Sequence, residues 1–305
     1  MAAPERTEHI VELDGRRLKV SNLAKVLYPE AGFTKAEVID YYVRVAPTML
    51  PHIADRGLTL RRYPDGVEGQ SFFEKRCPSH RPDWIGTVDG PGDRNGTIGY
   101  CALDSVAALA WAANLAALEL HAPMARGADI ESPAMCVFDL DPGPGTGIPQ
   151  CAEVALDIRA VLDRLAGLEC IAKTSGSKGL QLYVPLNTPH THEHCSSFAL
   201  AVAQVLEKHH PHRVTSVMKK SVRPGKVFID WSQNSRHKTT VAVYSLRARP
   251  RPTVSTPVTW DELDAAASGA PLSFETADVL ERLDLHGDLF APTLTVRQEL
   301  PEARA

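Results

Sequence analysis

The sequence predicts an α+β fold, and two observations carry that reading. Strand-like and helix-like segments mix without the strict alternation that builds a doubly wound parallel sheet. Acidic residues interrupt apolar, strand-like stretches: Asp139 and Asp141 in Val137-Phe138-Asp139-Leu140-Asp141-Pro142, and Asp230 in Val227-Phe228-Ile229-Asp230-Trp231. Between the two stretches lies Thr174-Ser175-Gly176-Ser177-Lys178-Gly179, a short polar loop flanked by further strand-like runs.

The elements follow in order. Residues 11–20 read as a hairpin with Asp14-Gly15 at its turn. Thr34 is suited to cap a helix, and Glu37 completes a capping box. Val38, Tyr41, Tyr42, Val45, Met49 and Leu50 then recur at helical spacing. A strand is expected over 58–63, and residues 82–96, rich in Pro, Gly and Asp, read as an exposed loop. Asp104 is placed to cap an apolar, buried helix over 106–118. Residues 135–140 form a strand, 141–147 a rigid turn, and a helix runs from Pro149 to Gly167, with Pro first and Gly last. Strands are expected over 169–173, 180–186, 214–218, 227–231 and 239–246, a helix over 193–208, and short helices from Trp260 on. The expected organisation is one domain, 1–305, with flexible ends at about 1–8 and 301–305.

A hydrophobic content of 44% over 305 residues supports a sizeable core. No run approaches the ~18 apolar residues of a membrane span, and the polar N-terminus carries no signal-peptide pattern. The six cysteines are widely spaced, without a Cys-x-x-Cys pair. They read as small core residues in a reducing cytoplasm, neither a disulfide frame nor a zinc site. The net charge of −4 hides an asymmetry. Ten Lys or Arg residues lie between Arg213 and Arg251, with Asp230 the sole acid among them. From Asp261 onward ten acids face three bases. A basic block around one acid suggests a polyanion-binding face.

Residues i and i+2 of a strand point to the same side, so Asp139 and Asp141 project together. Two adjacent carboxylates call for a cation. A pair of ions about 3.5–4 Å apart would neutralise them while activating a 3′-hydroxyl and stabilising a departing pyrophosphate. Oxygen-only ligands favour Mg²⁺ or Mn²⁺, and Asp230 is the candidate third acid. The loop from Ser175 to Gly179 offers glycines for close approach, hydroxyls for hydrogen bonds and the charge of Lys178; as a bare pattern it equally suits a hairpin turn. It lacks the order of a Walker A loop. Phe72 and Phe73, beside Lys75 and Arg76, could stack on bases or pack into a core. The histidines His190, His192, His194, His209, His210 and His212 flank a helix at both ends and read as solvated loop and helix-end residues, not a zinc site. His121 reads as a packed or capping histidine.

Taken together, these segments resemble the polymerase domain of bacterial ligase D, within the archaeo-eukaryotic primase superfamily. The markers are Asn22-Leu23-Ala24-Lys25-Val26-Leu27-Tyr28-Pro29, Ser71-Phe72-Phe73-Glu74-Lys75, Phe138-Asp139-Leu140-Asp141-Pro142-Gly143, Ser175-Gly176-Ser177-Lys178-Gly179, Met218-Lys219-Lys220 and Asp230-Trp231-Ser232-Gln233-Asn234. The resemblance covers about residues 20–300. It implies a primase-polymerase fold of mixed or antiparallel central sheets flanked by helices, with the catalytic acids on strands. It implies that Asp139, Asp141 and Asp230 hold the metals. His121, Ser175, Lys178, Arg223, Gln233 and Arg247 would contact the nucleoside triphosphate. Asn22, Lys25 and Lys35 would hold a DNA 5′-phosphate, and Phe72 and Phe73 would stack on the template. Two departures stand out: Gln181 occupies a position where the family usually has histidine, and Ala122-Pro123 follows His121 where an aromatic is common.

The implied activity is template-directed polymerisation by two-metal nucleotidyl transfer. It would add NTPs or dNTPs to a 3′-end at short gaps or double-strand-break ends in bacterial DNA repair, with tolerance for ribonucleotides. The expected partners are gapped or broken duplex DNA and, in trans, a DNA ligase and an end-binding protein; no membrane is involved. The chain lacks a ligase Lys-x-Asp-Gly motif and reads as a stand-alone enzyme or an excised domain, cytoplasmic and nucleoid-associated. Two alternatives stay open: a primase that starts chains de novo, and a catalytically weak module that binds 5′-phosphorylated DNA ends.

Overall fold

The computed structural model describes residues 7–92, 96–127 and 129–301. Strands β1 (Glu8–Leu13) and β2 (Arg16–Ser21) pair antiparallel. Asp14 and Gly15 join them at φ 51° and 69°, the positive values that a two-residue hairpin turn of this hand demands. The hairpin holds the chain from residue 7, whose carbonyl accepts from Asn22 N at 3.0 Å. The rest of the expected flexible ends, 1–6 and 302–305, lies outside the described residues.

Short β3 (Val26–Tyr28) and β4 (Phe33–Thr34) lead into α1 (Lys35–Ile53). The capping box forms as expected, Thr34 N donating to Glu37 Oε2 at 2.7 Å. Strands β5 (Thr59–Arg62), β6 (Phe72–Glu74), β7 (Thr87–Pro91) and β8 (Thr97–Cys101) follow. Thus the expected loop over 82–96 contains a strand. Pro91 lies at the end of a two-stranded ribbon, where its missing N–H breaks no ladder between strands. The cysteine reading is corrected too: Cys77 and Cys101 form a disulfide with Cα atoms 4.8 Å apart. Cys77 N bonds to Gly99 O at 2.9 Å, an approach made only when the chain folds back on β8. Cys136, Cys151, Cys170 and Cys195 are buried thiols, as expected.

Helix α2 (Val106–Asn114) is capped by Ser105, not Asp104; Ser105 Oγ accepts from Ala108 N at 3.3 Å. It ends earlier than expected because Ala116 takes φ 57° and the chain turns into β9 (Ala117–Pro123). A run that is apolar apart from Asn114 carries no periodicity to mark that change from helix to buried strand. After β10 (Ala125–Arg126) and β11 (Asp129–Pro133) comes the long β12 (Met135–Pro142). Helix α3 (Ile148–Ala166) is closed by Gly167 at φ 60°. Then come β13 (Ile171–Thr174), β14 (Leu180–Pro185), α4 (His192–His209), β15 (Val214–Thr215), β16 (Val227–Asp230) and β17 (Thr239–Val241). Strand β17 is shorter than expected, and Tyr244 at φ 65° bends the chain away just beyond it. Strand β18 (Pro257–Val258) and helices α5 (Trp260–Ala267), α6 (Thr276–His286) and α7 (Pro292–Thr295) complete the chain.

Two sheets organise these elements. One has the order β15-β16-β12-β14-β13-β18, antiparallel except for the β15–β16 pair; the other is antiparallel with the order β17-β9-β5-β6. The two-residue period of β12 divides its side chains cleanly. Cys136, Phe138 and Leu140 enter a core with Val154 and Ile158 of α3 and Ala199 and Val202 of α4. Met135 and Val137 face a second core, built on α1, α2, β5 and β9. Asp139 and Asp141 continue that second side, so the acids point away from the helices that cover the sheet.

The loop histidines are also corrected. His192 is buried, with its ring nitrogens 2.8 Å from Asn234 O and 3.0 Å from Ile130 O. His190 Nε2 accepts from Leu300 N at 3.0 Å and so pins the C-terminal segment, whereas His209 and His212 are exposed, as expected.

Replacing Phe138, fully buried between sheet and helices, by Ala should lower unfolding free energy by about 3–5 kcal/mol in urea titrations. A loss under about 1 kcal/mol would contradict the packing described.

Candidate active site

Strand register assembles the acids. Asp139 pairs across β12 and β16 with Asp230, and residues directly opposite share a face of the sheet. Asp141, two residues on, shares it as well. On the other side of β12, Asp139 pairs with Gln181, and Gln181 pairs with Lys173 on β13. One polar row, Asp230, Asp139, Gln181, Lys173, thus crosses four strands. Gln181 Nε2 donates to Asp139 Oδ1 at 3.1 Å, and Lys173 Nζ donates to Gln181 Oε1 at 2.5 Å. Asp230 is 7% exposed, and its Oδ1 accepts from Ser232 N (3.0 Å) and Ser232 Oγ (2.6 Å).

The row opens into a cleft of about 410 Å³ lined by His121, Asp139, Asp141, Ser175, Lys178, Arg223, Gln233 and Arg247, among others. Every residue that the sequence assigned to a nucleoside triphosphate therefore meets two of the three acids in one cavity. The Ser-Gly loop between β13 and β14 shapes one wall. Ser175 Oγ accepts from Ser177 N (3.3 Å) and Gly179 N (3.2 Å), which leaves its hydroxyl hydrogen to donate. Gly179 presses against β12: a Cβ there would lie 2.2 Å from Leu140 O. Gly176, at φ 66°, packs under the Arg247 side chain. Arg247 Nη1 donates to Ser175 O at 2.7 Å and so ties the loop to the second sheet.

Glu119 anchors the opposite wall. It is 1% exposed, on β9. Its Oε1 accepts from Arg247 Nε (3.2 Å) and Ala248 N (3.0 Å), and its Oε2 meets His121 Nε2 at 3.0 Å and Arg61 Nη1 at 3.4 Å. Burial alone would raise its pKa. The bond from His121 and the charge of Arg247 outweigh that and bring it to about 2. His121 shifts downward, because burial and the nearby guanidinium groups outweigh the attraction of Glu119.

The cleft acids behave in the opposite way. Asp139 is pushed up to about 7, first by withdrawal from water, then by the charge of Asp141, with Asp230 adding to it against the Gln181 bond and Lys173. Asp141 is raised by the same withdrawal and by Asp230, against Arg223 and Lys238. These carboxylates lack sufficient positive charge, the condition a divalent cation relieves. The donor set is all oxygen, which suits Mg²⁺ or Mn²⁺. Among the described residues no three His, Cys, Asp or Glu side chains already form a closed ligand cluster. Two buried polar atoms in the cleft, Arg223 Nε and Gln233 Oε1, have no hydrogen-bond partner in the protein. The residues therefore fit a divalent ion together with a polar, anionic ligand.

Lys173 and Glu119 were missed from the sequence. Glu119, between Leu118 and Leu120, carried the pattern that exposed Asp139, whereas Lys173, followed by Thr174 and the polar loop, did not.

The remaining candidates lie outside the cleft. Phe72 and Phe73 are 45% and 56% exposed on β6, the edge strand of the second sheet. Arg62 stacks over Phe72 at 5.2 Å and Arg61 over Phe73 at 5.1 Å, while the Phe73 ring meets His121 edge-on at 5.6 Å. Asn22, Lys25 and Lys35 come together at the foot of α1. Lys25 N donates to Asn22 O at 3.0 Å, and Lys35 N to Lys25 O at 2.8 Å. Lys25 Nζ is paired with Asp65 at 2.8 Å, whereas Lys35 is buried with its Nζ on Ser21 O at 2.7 Å. The basic block does not form one uniform face. Arg213 pairs with Glu153 and Asp157, Arg236 with Glu131, Arg247 with Glu119 and Arg251 with Glu275. Those acids arrive from elements far away in sequence, so the linear charge count could not reveal them.

A two-sheet α+β fold with an acid row beside the Ser-Gly loop is the arrangement that the resemblance to the primase-polymerases implies. The chain belongs to the family described as "LigD, primase-polymerase domain", whose model matches residues 34–290. It is 48% identical over 280 residues to the multifunctional non-homologous end joining protein LigD of Mycolicibacterium smegmatis, covering 90% of this chain and 36% of that protein. To the bifunctional non-homologous end joining protein LigD of Bacillus subtilis it is 29% identical over 272 residues, covering 89% of this chain and 43% of the relative. Among solved structures it resembles the polymerase domain from Mycobacterium tuberculosis ligase D in complex with DNA. The TM-score is 0.86 at 44% identity, over 92% of this chain and 99% of that one. The chain thus spans less than half the length of these relatives. No described helix is long and apolar enough to cross a membrane.

The raised pKa of Asp139 has a consequence for stability. Its folded value of about 7 lies above its ordinary 3.8, so the metal-free fold loses stability as pH climbs from about 4 through 7. In chelator at pH 8, Asp139→Asn should therefore melt at a higher temperature than wild type, with the gap closing toward pH 4. Equal melting temperatures at pH 8 would refute the charge crowding.

Proposed function

We propose that this chain is a template-directed primase-polymerase that adds nucleotides to a 3′-end at short gaps or at paired double-strand-break ends. The observation that carries the reading is the register pairing of Asp139 with Asp230, beside Asp141, in a cleft walled by Lys178, Arg223 and Arg247. A pair of divalent ions held by the three aspartates would activate the 3′-hydroxyl and stabilise the charge on departing pyrophosphate. The protein's own groups do the rest. Lys178, Arg223 and Arg247 offset the triphosphate charge, Ser175 donates its hydroxyl hydrogen, and the partnerless Gln233 Oε1 accepts from the nucleotide. Phe72 and Phe73 offer exposed rings on which template bases stack. Lys25, exposed at its tip, meets the 5′-phosphate across the gap by exchanging Asp65 for it. Lys35 holds the backbone beneath.

The names of the relatives place their activity in non-homologous end joining, and the structural neighbour is bound to DNA. On that support, the natural substrates are broken or gapped duplexes and nucleoside triphosphates, ribonucleotides included. A ligase and an end-binding protein complete the repair, inside the cell and on its DNA.

In a gap-filling assay with Mn²⁺ and NTPs, wild type should extend the primer. The Asp139→Ala, Asp141→Ala double variant should fall by at least about a thousandfold, since both act in one unit. Equal incorporation by the two proteins ends the proposal. Extension that needs no 3′-end would favour a primase proper, and binding without incorporation would favour an end-binding module.

DNA affinity should fall by about 0.9 log units per log unit of salt for each phosphate neutralised. A flat response would exclude phosphate contacts by the lysines and arginines of the 213–251 segment. Lys25→Ala should lose about tenfold in its preference for 5′-phosphorylated gaps while extending a simple primer normally. A preference that survives removes Lys25 from that role.

A further inference from the structure

Lys173 sits within β13 and is 1% exposed. Its Nζ reaches Gln181 Oε1 at 2.5 Å, Ser255 Oγ at 2.7 Å and Val241 O at 3.1 Å. Ser255 Oγ donates its own hydrogen to Thr174 O at 2.9 Å, so toward Lys173 it accepts. Three acceptors match the three hydrogens of an ammonium and exceed the two of a neutral amine. Burial pushes the Lys173 pKa well down, with the charge of Asp139 opposing it, but three acceptors around one nitrogen favour the ammonium, and on that geometry the site holds a cation next to the acid row.

Gln181 translates that cation into geometry. Its Oε1 faces Lys173 and lies 3.0 Å from the Tyr183 hydroxyl. Its Nε2 must then point the other way, where it donates to Asp139 Oδ1 at 3.1 Å. A flipped carboxamide would set NH₂ against the ammonium and an oxygen against the carboxylate, two repulsive contacts in a buried row. Without Lys173 the two orientations would be far closer in energy.

We infer that Lys173 is a positioning residue for the reaction: acting through Gln181, it fixes the Asp139 carboxylate in the orientation from which it binds a divalent ion. The inference rests on the nucleotidyl-transfer reading of this cleft.

The test is a double-mutant cycle read in two ways. Lys173→Met removes the charge at similar length, and Gln181→Leu removes the carboxamide. In calorimetric titration of the substrate-free protein with Mn²⁺ alone, each single variant should bind about tenfold more weakly, on the order of one hydrogen bond to a charged group. The double variant should bind no more weakly than the poorer single, because both break one relay. In primer extension, kcat should fall with KM for the nucleotide within about twofold. Losses that multiply to about a hundredfold, or unchanged Mn²⁺ affinity in Lys173→Met, overturn the inference.

Should Lys173→Met fail to fold, the orientation can be read in wild type by nuclear magnetic resonance. Gln181 amide protons should show Overhauser contacts to the Asp139 β-protons. Contacts to the Lys173 ε-protons instead overturn it. A wild type that binds Mn²⁺ yet incorporates nothing defeats the proposed function, while the coupling between Lys173 and Gln181 still stands or falls on the affinities.

Discussion

Negative charge gathered on one face of a sheet is the constraint to which the rest of this molecule answers. Asp139 and Asp230 sit opposite each other on neighbouring strands, and Asp141 stands beside them. In a medium of lower dielectric than water such a trio repels strongly, as the upward shifts of Asp139 and Asp141 record. The fold can hold it only because the other face of the same strands is apolar and clamped by α3 and α4. Packing on one side supports electrostatic strain on the other.

The protein treats its acids in two contrasting ways. Glu119 is less accessible to solvent than Asp139, yet it is fully answered within the chain by Arg247, Arg61, His121 and a backbone amide, and its pKa falls. It is a structural acid that orders its neighbours, joining the cleft to the aromatic edge where Arg61 lies over Phe73. Asp139 receives one neutral hydrogen bond, from Gln181, and its charge stays under-compensated. Under-compensation in a cleft is a mark of a group waiting for a ligand; full compensation is a mark of a scaffold. Histidine at position 181 could have carried a positive charge to Asp139. Here the amine of Lys173 stands one strand further along the row, with the carboxamide as intermediary.

Parts of this were legible in the chain. The Asp14-Gly15 turn, the Thr34–Glu37 capping box and the Gly167 helix stop are local devices, and each appears where its residues lie. The acid pair was legible because a period of two puts i and i+2 on one side of any strand. Where the sequence is apolar but for one residue, Asn114, as from Val106 to Leu118, the change from helix to strand at Ala116 left no trace in periodicity. Long-range partners were invisible for a different reason. Nothing near Arg213 hints at Glu153 and Asp157, nothing near Cys77 points to Cys101, and Lys35 looks like any surface lysine until Ser21 is folded over it.

Sequence alone therefore determined the chemistry available: three carboxylates on strands, a glycine-serine loop with one lysine, exposed-type aromatics beside cations, and a family pattern linking them. These are properties of residue type and short spacing, which survive without knowledge of what folds against what. Tertiary structure decided which charges remain unanswered. Register set Asp230 against Asp139 and Lys173 against Gln181, while distant acids neutralised Arg213, Arg236, Arg247 and Arg251. A charge acts according to its neighbours within a few ångströms, and only the folded chain chooses those neighbours.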